Sequence, residues 1–242
     1  MLYLAGTPGS VAGDVYEPLI QLWNLIQTDP EQVIADYERK WTELNDELNG
    51  LIQRDGERGE GLPAFYYEVR RRFNATQHPC DLNFLMRTCV NGIVRFNDDG
   101  EFNNSFHLSR RGMTPRRFTQ IAKSWHSKIQ GVSFVNQDYA ETVASADKDD
   151  FVYFDPPYAG NRQRYVSDLD LNRFFSTLED LNRRGVKWAL SFDGSRGATD
   201  LSYAMPPALF KRRLLISSGD SAVNKVLNGP VEMVQESLYL NY

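Results

Sequence analysis

The chain has 242 residues, enough for one α/β domain with an inserted subdomain and a sizeable buried core. Its hydrophobic content of 41% and aromatic content of 12% are those of a globular protein, and no apolar run approaches the roughly 20 residues of a membrane span. A net charge of −5 argues, taken alone, against nucleic acid, and two cysteines, Cys80 and Cys89, are too few for a disulfide framework and lack metal-ligand spacing. Both thiols are expected to be buried and inert in a reducing cytoplasm. The opening Met1-Leu2-Tyr3-Leu4-Ala5 lacks the basic flank and apolar core of a signal peptide.

Residues 10–16 read as a short strand ending at Asp14, followed by a helix with Leu19, Leu22, Trp23 and Ile26 at helical spacing. Thr28-Asp29-Pro30-Glu31 starts a second, amphipathic helix that runs to about Gln53 and carries Val33, Ile34, Tyr37, Trp41, Leu44 and Leu48. Residues 54–62, rich in glycine and charge, read as a mobile loop. Helices are expected around Ala64–Phe73 and Asp81–Val90, the latter running into Asn91-Gly92. Asn97-Asp98-Asp99-Gly100 then signals a hairpin between Ile93–Phe96 and Glu101-Phe102. After Thr114-Pro115 another helix extends to about Ile129. Beyond Val132 the rhythm changes to strands at 132–136, 151–154, 187–192, 212–217 and 234–241, with helices at 168–184 and 198–204. This βαβ pattern predicts an α/β fold with a mostly parallel sheet covered by helices on both faces. The helical block at 31–130 reads as an insertion into it.

Charge is segregated along the chain. Between Glu31 and Glu60 there are nine acidic residues against four basic ones. Between Phe102 and Gln137 there is no acid at all, while Arg110, Arg111, Arg116, Arg117, Lys123 and Lys128 fall there. Such a distribution gives an acidic protein one cationic face, suited to phosphate.

The chemistry concentrates in Phe151-Val152-Tyr153-Phe154-Asp155-Pro156-Pro157-Tyr158, an apolar strand that runs into an acid, two prolines and an aromatic. Ligands of open α/β sheets bind beyond the carboxyl ends of strands, where this loop is expected to lie. The exocyclic amine of adenine is a poor nucleophile because its lone pair is delocalised into the ring. Two acceptors aimed at its N–H bonds, the Asp155 carboxylate and the Pro156 carbonyl, would draw the nitrogen toward sp³ and free that pair. The prolines fix φ and offer no competing N–H. Tyr158 offers a face on which an extruded base could stack, and a base inside a duplex must be extruded to be reached.

At these residues the sequence resembles the Dam-type (D12 class) DNA adenine-N6 methyltransferases, over nearly the whole chain from Asp14 to Tyr242. The resemblance implies a Rossmann-like S-adenosylmethionine-dependent methyltransferase sheet, built from residues 1–30 and 131–242, with a helical target-recognition subdomain inserted at 31–130. It makes Asp155, Pro156, Pro157 and Tyr158 the catalytic motif. Asp14 falls where the family places the acid that binds the cofactor ribose, and Asp138, with Tyr139 beside it, where relatives hold the cofactor adenine. Asn91, Arg95 and Asn97 fall in the family's DNA-recognition hairpin, where Val90 replaces an aromatic common in relatives. Lys225 stands in the last hairpin where an arginine is common, which weakens bidentate phosphate contact. The family opens with a strand and a Phe-x-Gly-x-Gly loop. This chain has only Gly6-Thr7-Pro8-Gly9 there, so Met1–Ser10 is expected to be the tail of the helix after that loop.

The implied activity is site-specific methyl transfer to N6 of a flipped adenine in duplex DNA. The implied partners are double-stranded DNA and a cognate restriction endonuclease, with no membrane and no metal, for a monomer in the cytoplasm of a bacterium or its phage. Two other readings stay open at this stage. One is a DNA-binding remnant that cannot hold cofactor; the other is an amino-methyltransferase acting on cytosine N4.

Overall fold

The computed structural model describes residues 7–55, 62–156, 169–196, 199–200, 205–220 and 233–242. They fall into two compact units, one running to residue 142 and one from residue 143 onward.

In the first unit, strand β1 (Val11–Asp14) pairs in parallel with β2 (Ser133–Asn136), in the register Val11↔Ser133 to Asp14↔Asn136. Between them in sequence come helices α1 (Glu17–Thr28), α2 (Pro30–Asp55), α3 (Ala64–Thr76), α4 (Pro79–Thr88) and α5 (Pro115–Lys128). The short α6 (Tyr139–Thr142) follows β2. Local chemistry sets the helix starts. Pro18, Pro30, Pro79 and Pro115 all stand in first turns, where a missing N–H costs nothing. The Asp29 carboxylate accepts from Gln32 N at 3.0 Å, and His78 Nδ1 accepts from Cys80 N at 3.3 Å. The predicted stripes face inward: Val33, Tyr37 and Leu44 of α2 pack with Tyr66, Val69 and Phe73 of α3 and Phe84 and Leu85 of α4. Burying each such side chain stabilises by about 1.5–3 kcal/mol. Cys80 and Cys89 are free and buried there, and burial pushes both thiols up to about 11.

An ion network stitches three of these helices. Asp81 of α4 accepts two hydrogen bonds from the Arg72 guanidinium, both at 2.7 Å, and is ion-paired with Lys40, which also holds Asp36. Burial pushes the Asp81 carboxyl up, but the Arg72 and Lys40 hydrogen bonds outweigh it and hold the group below the usual carboxylate range.

The second unit contains a five-stranded sheet ordered β3-β4-β7-β6: β3 (Phe151–Phe154), β4 (Lys187–Arg196), β7 (Met233–Leu240) and β6 (Arg212–Asp220), with β5 (Thr199–Asp200) on the end of β4. Helix α7 (Leu171–Arg184) links β3 to β4 and buries Phe174, Leu178 and Leu181. Asp170 caps its start, accepting from Asn172 N and Arg173 N, and Gly185 at φ +75° ends it, as the left-handed cap requires.

Four expectations change. The larger sheet is not mostly parallel: β3–β4 is parallel, but β4–β7, β6–β7 and β4–β5 are antiparallel. The βαβ signal covers only the pair joined by a crossover helix, and antiparallel neighbours need none. The helix expected at 198–204 gives way at 199–200 to β5, because pairing Thr199 with Arg196 leaves no length for a helix to begin there; residues 201–204 lie outside the described residues. The hairpin at 93–102 closes at its predicted turn but makes only isolated bridges, Phe96–Phe102 and Cys89–Phe106. Asn97 N and Asn103 N still donate across it, to Glu101 O and Arg95 O, but both backbone groups of Phe102 are taken by Asn74, which accepts from Phe102 N (2.9 Å) and donates to Phe102 O (3.1 Å). A fourth expectation, a helix tail over Met1–Ser10, gives way at 7–10 to a turn, because Gly9 stands at φ +91°, outside the helical region, and donates to Gly131 O at 2.9 Å. Residues 1–6, and most of the loop expected at 54–62, lie outside the described residues.

Candidate functional site

Two of the predicted acids meet at one end of one sheet. Asp14 closes β1 and is paired with Asn136, whose side chain donates to Asp14 O at 3.0 Å; Asp138 follows two residues later. Each carboxylate is anchored by the chain just beyond it. Asp14 Oδ1 accepts from Tyr16 N at 2.7 Å, and Asp138 Oδ1 accepts from Ala140 N at 2.9 Å. Among the described residues Oδ2 of Asp14 has no partner. Burial pushes the Asp14 carboxyl up, and the Tyr16 hydrogen bond only partly offsets this. Tyr139, next to Asp138, opens α6 and is half-buried.

In the second unit, Asp155 and Pro156 stand immediately past the carboxyl end of β3, beside the parallel β4. Asp155 is exposed, yet the atoms crowding it still shield it enough to push its carboxyl above the usual range. Below it, the Tyr153 hydroxyl meets Ser191 Oγ of β4 at 2.6 Å. Pro157 and Tyr158 lie outside the described residues, as does Lys225.

The hairpin carries its residues in unequal ways. Asn91 is exposed and sits at φ +57°, a left-handed conformation that asparagine tolerates better than other side chains but that still stores strain. Arg95 is exposed as well. Asn97 is engaged in the turn: its Oδ1 accepts from Glu101 N at 2.8 Å and its Nδ2 donates to Glu101 Oε2 at 3.1 Å. Asn104, which sequence reasoning missed, braces the hairpin from inside. Only 8% exposed, it donates to Val90 O at 3.0 Å and Ile93 O at 2.7 Å, on either side of Asn91. Nothing local distinguishes it from Asn103 beside it, since its role depends on contacts 11 and 14 residues away.

Arg110, Arg111, Arg116 and Arg117 are all exposed. Arg111 is tied to Asn49 at 2.6 Å and Asn45 at 3.4 Å, and the Tyr37 hydroxyl donates to Met113 O at 2.7 Å, so this basic segment is fastened to α2. An open groove of about 510 Å³ flanks the hairpin, lined by Tyr67, Arg70, Arg71, Asn74 and Glu101 rather than by any of the three acids. The run Arg70-Arg71-Arg72 was its signal in the sequence. The histidines serve structure: His78 caps α4, and His126 Nδ1 lies 3.1 Å from Ile26 O.

The family model for the D12 class of N6 adenine-specific DNA methyltransferases matches residues 8–205, which include Asp14, Asn91, Arg95, Asp138 and Asp155. This chain belongs to that family. Among curated relatives it is 29% identical over 198 residues to the type II methyltransferase M.MjaIII of Methanocaldococcus jannaschii, covering 75% of this chain and 64% of the relative. It is 29% identical over 157 residues to a DNA adenine methylase of Haemophilus influenzae, covering 63% and 49%, and 29% identical over 195 residues to the type II methyltransferase M.FokI of Planomicrobium okeanokoites, covering 75% and 28%. The chain therefore spans between about a quarter and two thirds of the length of these relatives.

Proposed function

We propose that this D12-class chain transfers a methyl group from S-adenosylmethionine to N6 of an adenine flipped out of duplex DNA. The observation that carries the reading is Asp155-Pro156 at the carboxyl end of a parallel strand, in a chain whose relatives are named adenine methylases. The order of elements supports a Rossmann-like catalytic domain of residues 1–30 and 131–242, with residues 31–130 inserted as the recognition subdomain. The donor set of the first unit fits a nucleoside. Vicinal ribose hydroxyls need acceptors, and Asp14 keeps one carboxylate oxygen open for them; Asp138 accepts from an adenine amino group, beside Tyr139.

When bound, S-adenosylmethionine supplies an activated methyl group on sulfur. The chain's own residues prepare the acceptor. The Asp155 carboxylate and Pro156 carbonyl accept from the two N–H bonds of the target amine, which localises its lone pair for in-line attack. Desolvation that raises the Asp155 pKa makes its carboxylate a stronger acceptor for the proton this nitrogen gives up. Pro157 and Tyr158 complete the motif, Tyr158 by stacking on the extruded base. Asn91 and Asn97 hold the hairpin where the base leaves the helix, Arg95 reads a base edge, and Arg110, Arg111, Arg116, Arg117 and Lys225 contact phosphates. Relatives named type II methyltransferases support a restriction-modification setting with a cognate endonuclease. No described helix is long and apolar enough to cross a membrane.

The test is transfer of labelled methyl to duplex DNA, with the product nucleoside identified as N6-methyladenine. Asp155→Ala should abolish transfer while leaving DNA affinity within about two-fold, since the residue orients the amine rather than holding the duplex. The reaction needs the carboxylate ionised, and the desolvation imposed by the atoms crowding it raises its pKa. The rate should therefore fall on acidification from a pH above the ordinary Asp value of about 3.9. Turnover retained in Asp155→Ala sinks the mechanism, and methylated cytosine as product sinks the substrate.

A further inference from the structure

Gly13, one residue before Asp14 and in register with Val135, is not called for by the backbone, since it lies in an ordinary strand. Space calls for it. A Cβ on Gly13 would lie 2.1 Å from Thr142 Oγ1, 2.8 Å from its Cγ2 and 3.0 Å from its Cβ. Even alanine is too large unless Thr142 moves. Thr142 is not at liberty to move, because its Oγ1 and its backbone N–H both donate to Asp138 O, each at 2.9 Å. Asp138 in turn holds Ala140 N with its carboxylate. The packing of α6 on β1, of which the Gly13–Thr142 approach is the tightest point seen at a glycine, thus joins the turn bearing Asp138 to the strand end bearing Asp14. Gly13 is exposed and Thr142 half-buried, so the displacement passes through the hydrogen bonds of Thr142 to Asp138 O rather than through a packed core.

We propose that the Gly13–Thr142 contact is a positioning device for the nucleoside site: it sets the spacing between Asp14 and Asp138, and hence the fit of the adenosine half of S-adenosylmethionine. This rests on the cofactor reading of the two acids given above. Neither residue touches the nucleoside. Gly13 acts by admitting Thr142, and Thr142 by holding the Asp138 turn. Overpacking at Gly13 pushes α6 off β1 and pulls the Asp138 turn with it.

The experiment is calorimetric titration of S-adenosylhomocysteine, the unreactive product, into the full chain and its variants, alongside DNA affinity measured without cofactor. Gly13→Ala should weaken nucleoside binding by about ten-fold or more, while DNA affinity stays as in the wild type. Gly13→Ala combined with Thr142→Ala removes the two atoms nearest the new methyl, so the double variant should bind better than Gly13→Ala alone. That recovery is a non-additivity that a general loss of stability does not produce. At saturating DNA the Gly13→Ala defect should appear in the KM for S-adenosylmethionine and not in kcat. Wild-type affinity in Gly13→Ala, or losses that simply add in the double variant, overturns the proposal. If Gly13→Ala does not fold, Thr142→Val decides. It keeps the packing but deletes the Oγ1 hydrogen bond to Asp138, so weakened binding supports the device and unchanged binding overturns it. Failure of the folded wild-type chain to bind at all overturns the cofactor reading itself, and the device with it.

Discussion

Asn104 illustrates how much a single buried amide can do. It is the only side chain among the described residues seen donating to the carbonyls of both Val90 and Ile93, the residues that flank the left-handed Asn91. Removing it takes one donor from each carbonyl in a partly buried setting, leaving Val90 O with Ile93 N and Ile93 O with the weak Cys89 Sγ donor. We expect Asn104→Ala to cost about 1–3 kcal/mol of stability in chemical denaturation. Released from its brace, Asn91 should relax from φ +57°, and discrimination between target and non-target DNA should fall more than total affinity. Unchanged discrimination would show that the turn holds itself. The turn at 97–100 was readable from its local residues, while Asn91 and Arg95 were singled out by the resemblance to the family's recognition hairpin. Asn104 was not, because an amide's partners are set by the fold and its neighbours in sequence say nothing of them.

At the scale of elements, α2, α3 and α4 are joined by the Asp36–Lys40–Asp81–Arg72 network as well as by their apolar stripes. Lys40 and Asp81 are each only 1% exposed, so neither charge has water to fall back on. Asp81→Asn should cost about 3–5 kcal/mol, the usual penalty for leaving a buried charge short of its partner. Linkage gives a pH signature. The Asp81 pKa is depressed in the folded chain, so its contribution is complete above the unfolded value of about 3.9 and is lost as pH falls through the lower, folded value. Acid denaturation of wild type and Asp81→Asn should therefore converge below about pH 4, and curves that stay parallel there would assign the loss to packing. The helices themselves were readable from apolar periodicity and first-turn prolines. The network was not, since Lys40 and Asp81 look like surface residues until the helices are set side by side.

For the whole molecule, an acidic protein that binds DNA has to do so through a local field. Arg116 and Arg117 project from the first turn of α5, in a stretch from Phe102 to Gln137 without a single acid. Charge reversal of both, Arg116→Glu with Arg117→Glu, should weaken binding to target and non-target duplexes alike. It should also reduce the slope of log K against log salt by about 0.9 for each phosphate that is no longer neutralised. Arg95→Ala should instead alter target preference with little change in that slope. A uniform weakening with Arg95→Ala would move this residue from base readout to phosphate binding.

Local patterns by themselves determined most element types and boundaries, the cationic segment, and the acid–proline loop at the end of a strand. Each of these is encoded within a few consecutive residues, as a period, a cap or a composition. Tertiary structure decided three things. It set the antiparallel direction of β7 against β4 and β6, because strand direction depends on which neighbours a strand meets and not on its own pattern. It brought Asp14 and Asp138, 124 residues apart in the sequence, to the same end of two paired strands. And it made Gly13 necessary through the approach of Thr142, a steric demand between distant residues that no local signal carries.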